Sequence, residues 1–149
     1  MTTPADSPIF IDTNVLVFAT RRSSQMHKPA SAAMHEIIQQ GMEAWISRQI
    51  LREYLVQTTR PGALPHGTAE TAAAQVESLY PFFEVADEDE CVTEQLLKLL
   101  KKIGAAGKQV HDANIVATML VNEIPQLLTH NVKDFGRYSH LITVIPLVP

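Results

Sequence analysis

A single cysteine, Cys91, excludes an internal disulfide, and no Cys/His cluster accompanies it to make a structural zinc site. Cys91 follows the acidic run Asp87 to Glu90, whereas a reactive thiolate wants positive neighbours, so it reads as a structural or incidental residue. Basic residues are also scarce: 12 Lys and Arg stand against 16 Asp and Glu, a formal net charge of −4. That balance excludes a module that grips nucleic acid through a broad basic surface. Any nucleic-acid role then needs bound cations or a local cluster drawn from Arg21, Arg22, Lys28, Arg48, Arg52 and Arg60. No apolar run is long enough to cross a bilayer, since even Ile9 to Ala19 is too short and too polar. The N-terminus has no basic stretch followed by an apolar one, so the expectation is a soluble cytoplasmic protein with no membrane partner. Repeats, linkers and low-complexity tracts are absent as well. With 149 residues, 46% of them hydrophobic, the expectation is one domain over 1–149. Residues 1–7 lack apolar periodicity and are expected to be flexible.

What is present is an alternation of short apolar runs with helical periods. Ile9-Phe10-Ile11 reads as a buried strand ending at Asp12, and Val15 to Ala19 begins a helix. Pro29 to Gly41 repeats its apolar residues at three and four and stops at glycine. Glu43 to Ile46 reads as a second strand, with Ser47 as N-cap of a helix through about Thr59, before Pro61-Gly62. A helix is predicted over Gly67 to Tyr80, ended by Pro81, and a strand around Phe82, Phe83 and Val85. Asp87 to Ile103 is predicted as a long helix, with Val92, Leu96, Leu99, Leu100 and Ile103 on one side. Its acids lie at the start and Lys98, Lys101 and Lys102 at the end, as the helix dipole favours. His111 to Asn122 reads as helix, Gln126 to Thr129 as strand and Leu141 to Ile145 as a final strand. Short strands, apolar on both faces and alternating with helices, imply an α/β protein with a mainly parallel sheet covered on both sides.

Ligands of such sheets bind beyond the carboxyl ends of the strands. Asp12 sits at one such end and Asp134 lies shortly after another. Glu53 falls three residues after Ile50 and beside Tyr54, on or next to the inward face of its helix. Asp112 precedes Ile115, Val116 and Met119 on the apolar face of its own helix, in the first turn. Each acid taken alone has a structural reading: Asp12 as a helix cap, Asp112 as a dipole partner, Glu53 in a salt bridge to Arg48, Arg52 or Arg60, and Asp134 as a turn or capping residue. Taken together, carboxylates that converge on a core repel one another, and a hard cation such as Mg²⁺ or Mn²⁺ relieves that repulsion. One or two such cations can hold a phosphodiester and activate water against it.

These residues resemble the PIN-domain ribonucleases, and within them the VapC-type toxins of toxin–antitoxin pairs. Four segments carry the resemblance: Ile9 to Leu16 with Asp12-Thr13-Asn14, Ser47 to Tyr54 with Glu53, His111 to Ala117 with Asp112, and Leu128 to Phe135 with Thr129, Asn131 and Asp134. They follow the family's order over nearly the whole chain, from Ile9 to about Val144. The resemblance implies a three-layer α/β/α fold and Mg²⁺- or Mn²⁺-dependent endoribonuclease activity. It also implies a homodimer and a protein antitoxin as partner. Asp12, Glu53 and Asp112 are then the catalytic and metal-binding triad, with Asp134 as a further candidate ligand. Many relatives carry an acid where this chain has Asn131, which offers a carbonyl oxygen without charge, so the second cation is the open point.

Thr13 and Asn14 are expected to hydrogen-bond Asp12 or a metal-held water, and Thr129 and Asn131 to support the ligands. Arg48 and Arg52, which flank Glu53, are expected to contact RNA phosphate or to tie up Glu53. His27, His111 and His130 are not needed as bases, and Trp45 reads as core. Two alternatives stay open: a metal-dependent phosphatase of another α/β family, and a non-catalytic module that keeps the fold. Against the first, Asn14 stands where a nucleophilic-Asp phosphatase would want a second Asp.

Overall fold

The computed structural model describes residues 7–62 and 68–149. The expectation of flexibility falls mostly on residues 1–6, which lie outside the described residues, as does the predicted helix start at Gly67. Five strands are β1 (Ile9–Ile11), β2 (Ala44–Ser47), β3 (Glu84–Ala86), β4 (Gln126–Thr129) and β5 (Thr143–Pro146). The helices are α1 (Thr13–Thr20), α2 (His27–Gln39), α3 (Arg48–Thr59), α4 (Ala69–Leu79), α5 (Glu90–Lys102), α6 (Gln109–Val121) and α7 (Val132–Phe135). The sheet order is β3-β2-β1-β4-β5 and every pairing is parallel.

This order sets the layers. From β1 the chain steps to β2 and then β3 in one direction, then returns past both to β4 and on to β5. Parallel crossovers are right-handed, so reversing direction moves the connecting helices to the opposite face. Helices α1–α4 therefore cover one face, packing α1 on α2 and α3, and α3 on α4, while α5 and α6 pair on the other. The reversal lies between β1 and β4, where the connections diverge and a crevice opens beyond the strand ends.

Local chemistry places the elements. β1 and β4 are buried throughout because helices cover both faces, and Phe10, Ile11 and Leu127 are fully enclosed. The edge strands β3 and β5 are partly exposed, which corrects the expectation that all strands are apolar on both faces. Ser47 and Asp89 accept hydrogen bonds from the backbone of Ile50 and Val92, capping α3 and α5. Gly41 adopts φ +67° just after α2, and Met42 N–H closes back onto the Ile37 carbonyl, so glycine ends the helix as its backbone freedom allows. The stretch predicted as strand from Phe82 begins instead as a 3₁₀ turn over Tyr80–Phe82, since Pro81 cannot donate to a ladder, and the strand starts at Glu84. The last strand starts at Thr143 rather than Leu141. Trp45 packs partly buried against the core. Among the described residues no helix is long and apolar enough to cross a membrane.

Candidate functional site

The crevice at the β1/β4 switch is a cavity of about 670 Å³, and its lining includes Asp12, Thr13, Asn14, Gln49, Glu53, Asp112 and Asn131. Four elements bring these residues together from positions up to 119 apart in sequence, Asp12 to Asn131. Asp12 follows β1 directly and starts α1. Its Oδ1 accepts from the Thr13 backbone N–H at 2.8 Å, so the capping role is real. Its Oδ2 accepts from the Thr129 hydroxyl at 2.7 Å and from the Asn14 amide at 3.3 Å. Asp12 is 5% exposed. Burial outweighs these hydrogen bonds and pushes its carboxyl up to about 6, with the Glu53 charge adding to the rise.

Glu53 projects from α3 with both oxygens engaged. Oε2 accepts from the Thr13 hydroxyl at 2.6 Å, and Oε1 from the Gln49 amide at 2.8 Å. Thr13 thus meets Asp12 through its backbone and Glu53 through its side chain, a link the sequence did not disclose. Glu53 makes no salt bridge among the described residues, so the bland account of its charge does not apply. Asp112 is the fourth residue of α6 and is half-buried. Its carboxyl is also pushed up to about 6, first by burial, then by the negative charges of Asp12, Asp134 and Glu53. No hydrogen bond reaches the Asp112 carboxylate from the described residues, in contrast to Asp12.

The other expected site residues divide. Asn131 lines the cavity, and its backbone N–H donates to the Thr129 hydroxyl at 3.0 Å. Asp134 is on the short helix α7 outside the lining and acts on Asp112 only through its charge. Arg48, expected to contact RNA phosphate or to tie up Glu53, lies outside the cavity lining and is paired with Asp87 at 3.0 Å. Arg52 lines the cavity but leans on Glu88 at 3.5 Å. Arg21, Arg60 and Lys108 line it too, and among the described residues they make no ion pair. The Arg21 Nε is buried without a hydrogen-bond partner. Acids and cations thus share the lining of one cavity.

Gln49, Asn114, Lys108 and Glu88 were not singled out from the sequence. Gln49 stands four residues before Glu53, so helical spacing places both on one face and was the available signal. No such signal marks Asn114 or Glu88, whose contacts are long-range. Phe18 also lines the cavity and meets His130 edge to face at 5.5 Å, while His27 bonds the Phe18 carbonyl outside the lining.

The donor set consists of carboxylate oxygens and the Asn131 amide, the chemistry of a hard cation rather than of zinc held by Cys and His. Among the described residues no three His, Cys, Asp or Glu side chains stand close enough, as placed, to hold one ion. Thr13 and Gln49 hold both oxygens of Glu53, while the Asp112 carboxyl is raised first by burial and then by the charges of Asp12, Asp134 and Glu53.

An all-parallel α/β sandwich with an acid-lined crevice at its switch point defines the class of this protein. The chain belongs to the PIN domain family, which matches residues 9–141. Solved structures of similar fold include those of toxin–antitoxin proteins. VapBC2 from Rickettsia felis, bound to a DNA fragment from its promoter, is 14% identical with a TM-score of 0.65, covering 93% of this chain and 97% of that one. FitAcB from Neisseria gonorrhoeae is 18% identical with a TM-score of 0.68, over 93% and 97%. VapC20 from Mycobacterium tuberculosis, a sarcin-ricin loop cleaving toxin, is 20% identical with a TM-score of 0.61, over 80% and 86%. No curated protein matches the sequence.

Proposed function

We propose that this protein is a metal-dependent endoribonuclease, working as one domain and as the toxin of a toxin–antitoxin pair in the cytoplasm. The observation that carries the reading is the gathering in one crevice of carboxylates that, among the described residues, make no salt bridge: Asp12 and Asp112 both titrate near 6 because burial and neighbouring negative charge oppose their ionisation. A fold gains nothing from such repulsion unless a cation enters. PIN membership supports a nuclease, and the neighbours solved as toxin–antitoxin complexes support a protein antitoxin; the homodimer is carried by the resemblance alone. The RNA loop cleaved by VapC20 supports RNA as the substrate class.

Asp12, Glu53 and Asp112 would hold Mg²⁺ or Mn²⁺, with the Asn131 carbonyl as a neutral oxygen and Asp134 adding charge from outside. The bound cation supplies Lewis acidity that polarises a phosphodiester and acidifies the attacking water. The chain's own residues supply orientation. Thr129, Asn14 and the Thr13 backbone fix the Asp12 carboxylate in one direction, and Thr13 and Gln49 do the same for Glu53. Arg21, Arg60 and Lys108 face the cavity with charge free for backbone phosphates, and Arg52 becomes available when it leaves Glu88.

Asp12→Asn is expected to lower RNA cleavage by about 10³-fold or more. Wild-type cleavage by the folded variant, or full wild-type activity in EDTA, would sink the mechanism. Arg60→Ala and Lys108→Ala are each expected to raise KM for RNA several-fold with little change in kcat. Each should also flatten the log–log salt dependence of RNA binding by about 0.7. Arg48→Ala is expected to leave KM alone, because its guanidinium is paired with Asp87 away from the cavity. A KM that rises as much for Arg48→Ala as for Arg60→Ala would remove the distinction.

A further inference from the structure

Gln49, on the helix that carries Glu53, is 4% exposed and its side chain reaches the helix that carries Asp112. Its Nε2 donates to Glu53 Oε1 at 2.8 Å and to the His111 carbonyl at 3.0 Å, one residue before Asp112. Its Oε1 accepts from Asn114 Nδ2 at 2.8 Å, and the same Asn114 nitrogen donates to Glu88 Oε1 at 2.7 Å. The amide orientation is forced. A carboxylate and a backbone carbonyl can only accept, so the NH₂ must face them. The oxygen is then left for Asn114, whose own NH₂ is oriented by the Glu88 carboxylate. Both hydrogens and the oxygen of Gln49 are used, and no other amide direction satisfies this chain.

We propose that Gln49 is the positioning residue that sets the spacing of Glu53 from Asp112, and that Asn114 and Glu88 lock its amide in that direction. The inference rests on the reading of these acids as metal ligands. One amide group touches both a ligand carboxylate and the backbone of the second ligand's helix. A shift of Gln49 therefore changes the distance between Glu53 and Asp112, whereas a shift of Thr13, the other residue bonded to Glu53, moves Glu53 relative to Asp12. Thr13, the second partner of Glu53, makes no hydrogen bond to α6 among the described residues that could replace this link. Leucine at position 49 fills similar space but takes the amide donor from Glu53 Oε1 and removes the bridge to the His111 carbonyl, which keeps only its bond within α6. Glutamate there presents oxygen to both acceptors.

The test is Mn²⁺ titration of the purified, RNA-free full chain by calorimetry, alongside RNA cleavage kinetics, for wild type, Gln49→Leu and Asn114→Leu. Gln49→Leu is expected to weaken Mn²⁺ binding by about 10-fold or more and to lower kcat by a similar factor, with KM for RNA unchanged. Asn114→Leu lies further from the acids and keeps the Gln49 donors in place. It should show the same pattern at about 3-fold, and it serves if Gln49→Leu does not fold. A purely structural role would lower the melting temperature while leaving the Mn²⁺ affinity of the folded protein at the wild-type value, and that result overturns the proposal. Wild type that binds Mn²⁺ and cuts RNA, with both variants equal to it, overturns Gln49 alone. Wild type that binds no Mn²⁺ overturns the nuclease reading and the Gln49 role with it.

Discussion

Asp112→Asn is expected to abolish RNA cleavage and, in the same protein without metal, to raise its melting temperature. The two effects have one cause. Asp112 carries a charge that burial and the neighbouring Asp12, Asp134 and Glu53 all oppose, and no hydrogen bond from the described residues compensates. Asparagine keeps the shape and removes the charge. At neutral pH the relief is about 1 kcal/mol once solvent screening of a half-buried group is allowed for, or roughly 2–4 °C for a chain of this size. Activity should fall by about 10³-fold because a negative ligand is lost. Asp12→Asn makes the informative contrast. It also removes a disfavoured charge, but it sets an amide NH₂ against the Thr129 hydroxyl and the Asn14 amide, so its stability gain should be smaller or absent. The check is a thermal melt and a cleavage assay on both variants in EDTA-treated buffer and then with Mn²⁺. A melting temperature that drops for Asp112→Asn would make Asp112 a structural residue. Cleavage at the wild-type rate would remove it from the site.

The second large effect is a stability that depends jointly on pH and metal. Asp12 and Asp112 both titrate near 6 in the folded protein against an ordinary 3.8, so the folded state holds its protons more tightly than the unfolded chain does. The stabilisation from these protons is complete below about pH 4 and is lost as the pH rises through 6. For the deeply buried Asp12 alone the loss is on the order of 3 kcal/mol between pH 4 and pH 7. A divalent cation binds the same oxygens once the protons have left. Mn²⁺ at about 100 times its dissociation constant should therefore stabilise the protein by about 2.7 kcal/mol at pH 7.5. At pH 4.5 that metal-induced shift should nearly vanish, because protons occupy the carboxylates. Melting curves at the two pH values, with and without Mn²⁺, measure this directly. An equal shift at both pH values, or none at either, would show that the metal does not compete with these protons.

Much of the site can be read along the chain because part of its geometry is local. Asp12 ends an apolar triplet, and a strand three residues long can deliver its next residue only to the rim of the sheet. Glu53 follows Ile50 at helical spacing, and Asp112 precedes Ile115, Val116 and Met119 at the spacings that mark one helix face. Arg48 shows where this stops. It shares a helical face with Arg52, four residues on, and periodicity treats the two alike. Only the position of Asp87 and Glu88, in the loop before α5, pairs Arg48 outside the cavity lining and leaves Arg52 within it. Arg60 and Lys108 have no local mark at all. They matter because a helix end and a helix start, 48 residues apart, meet at the same rim.

By itself the sequence determined the alternation of strands and helices, several caps and stops, and the placing of three acids on inward or rim positions. Each of these depends on residues a few places apart, whose spacing fixes direction through the period of a helix or the pleat of a strand. The tertiary structure alone decided that the return from β3 to β4 crosses the sheet and opens the crevice beside β1. It also decided that Thr13 reaches Glu53, that Thr129 reaches Asp12 and that Gln49 spans α3 and α6. Those contacts join residues 40, 117 and 62 positions apart. No local period reaches so far, because such pairs form only after strand pairing has closed the loops between them. The raised Asp12 and Asp112 carboxyls belong to that second group, since burial and mutual repulsion arise only once the elements have packed.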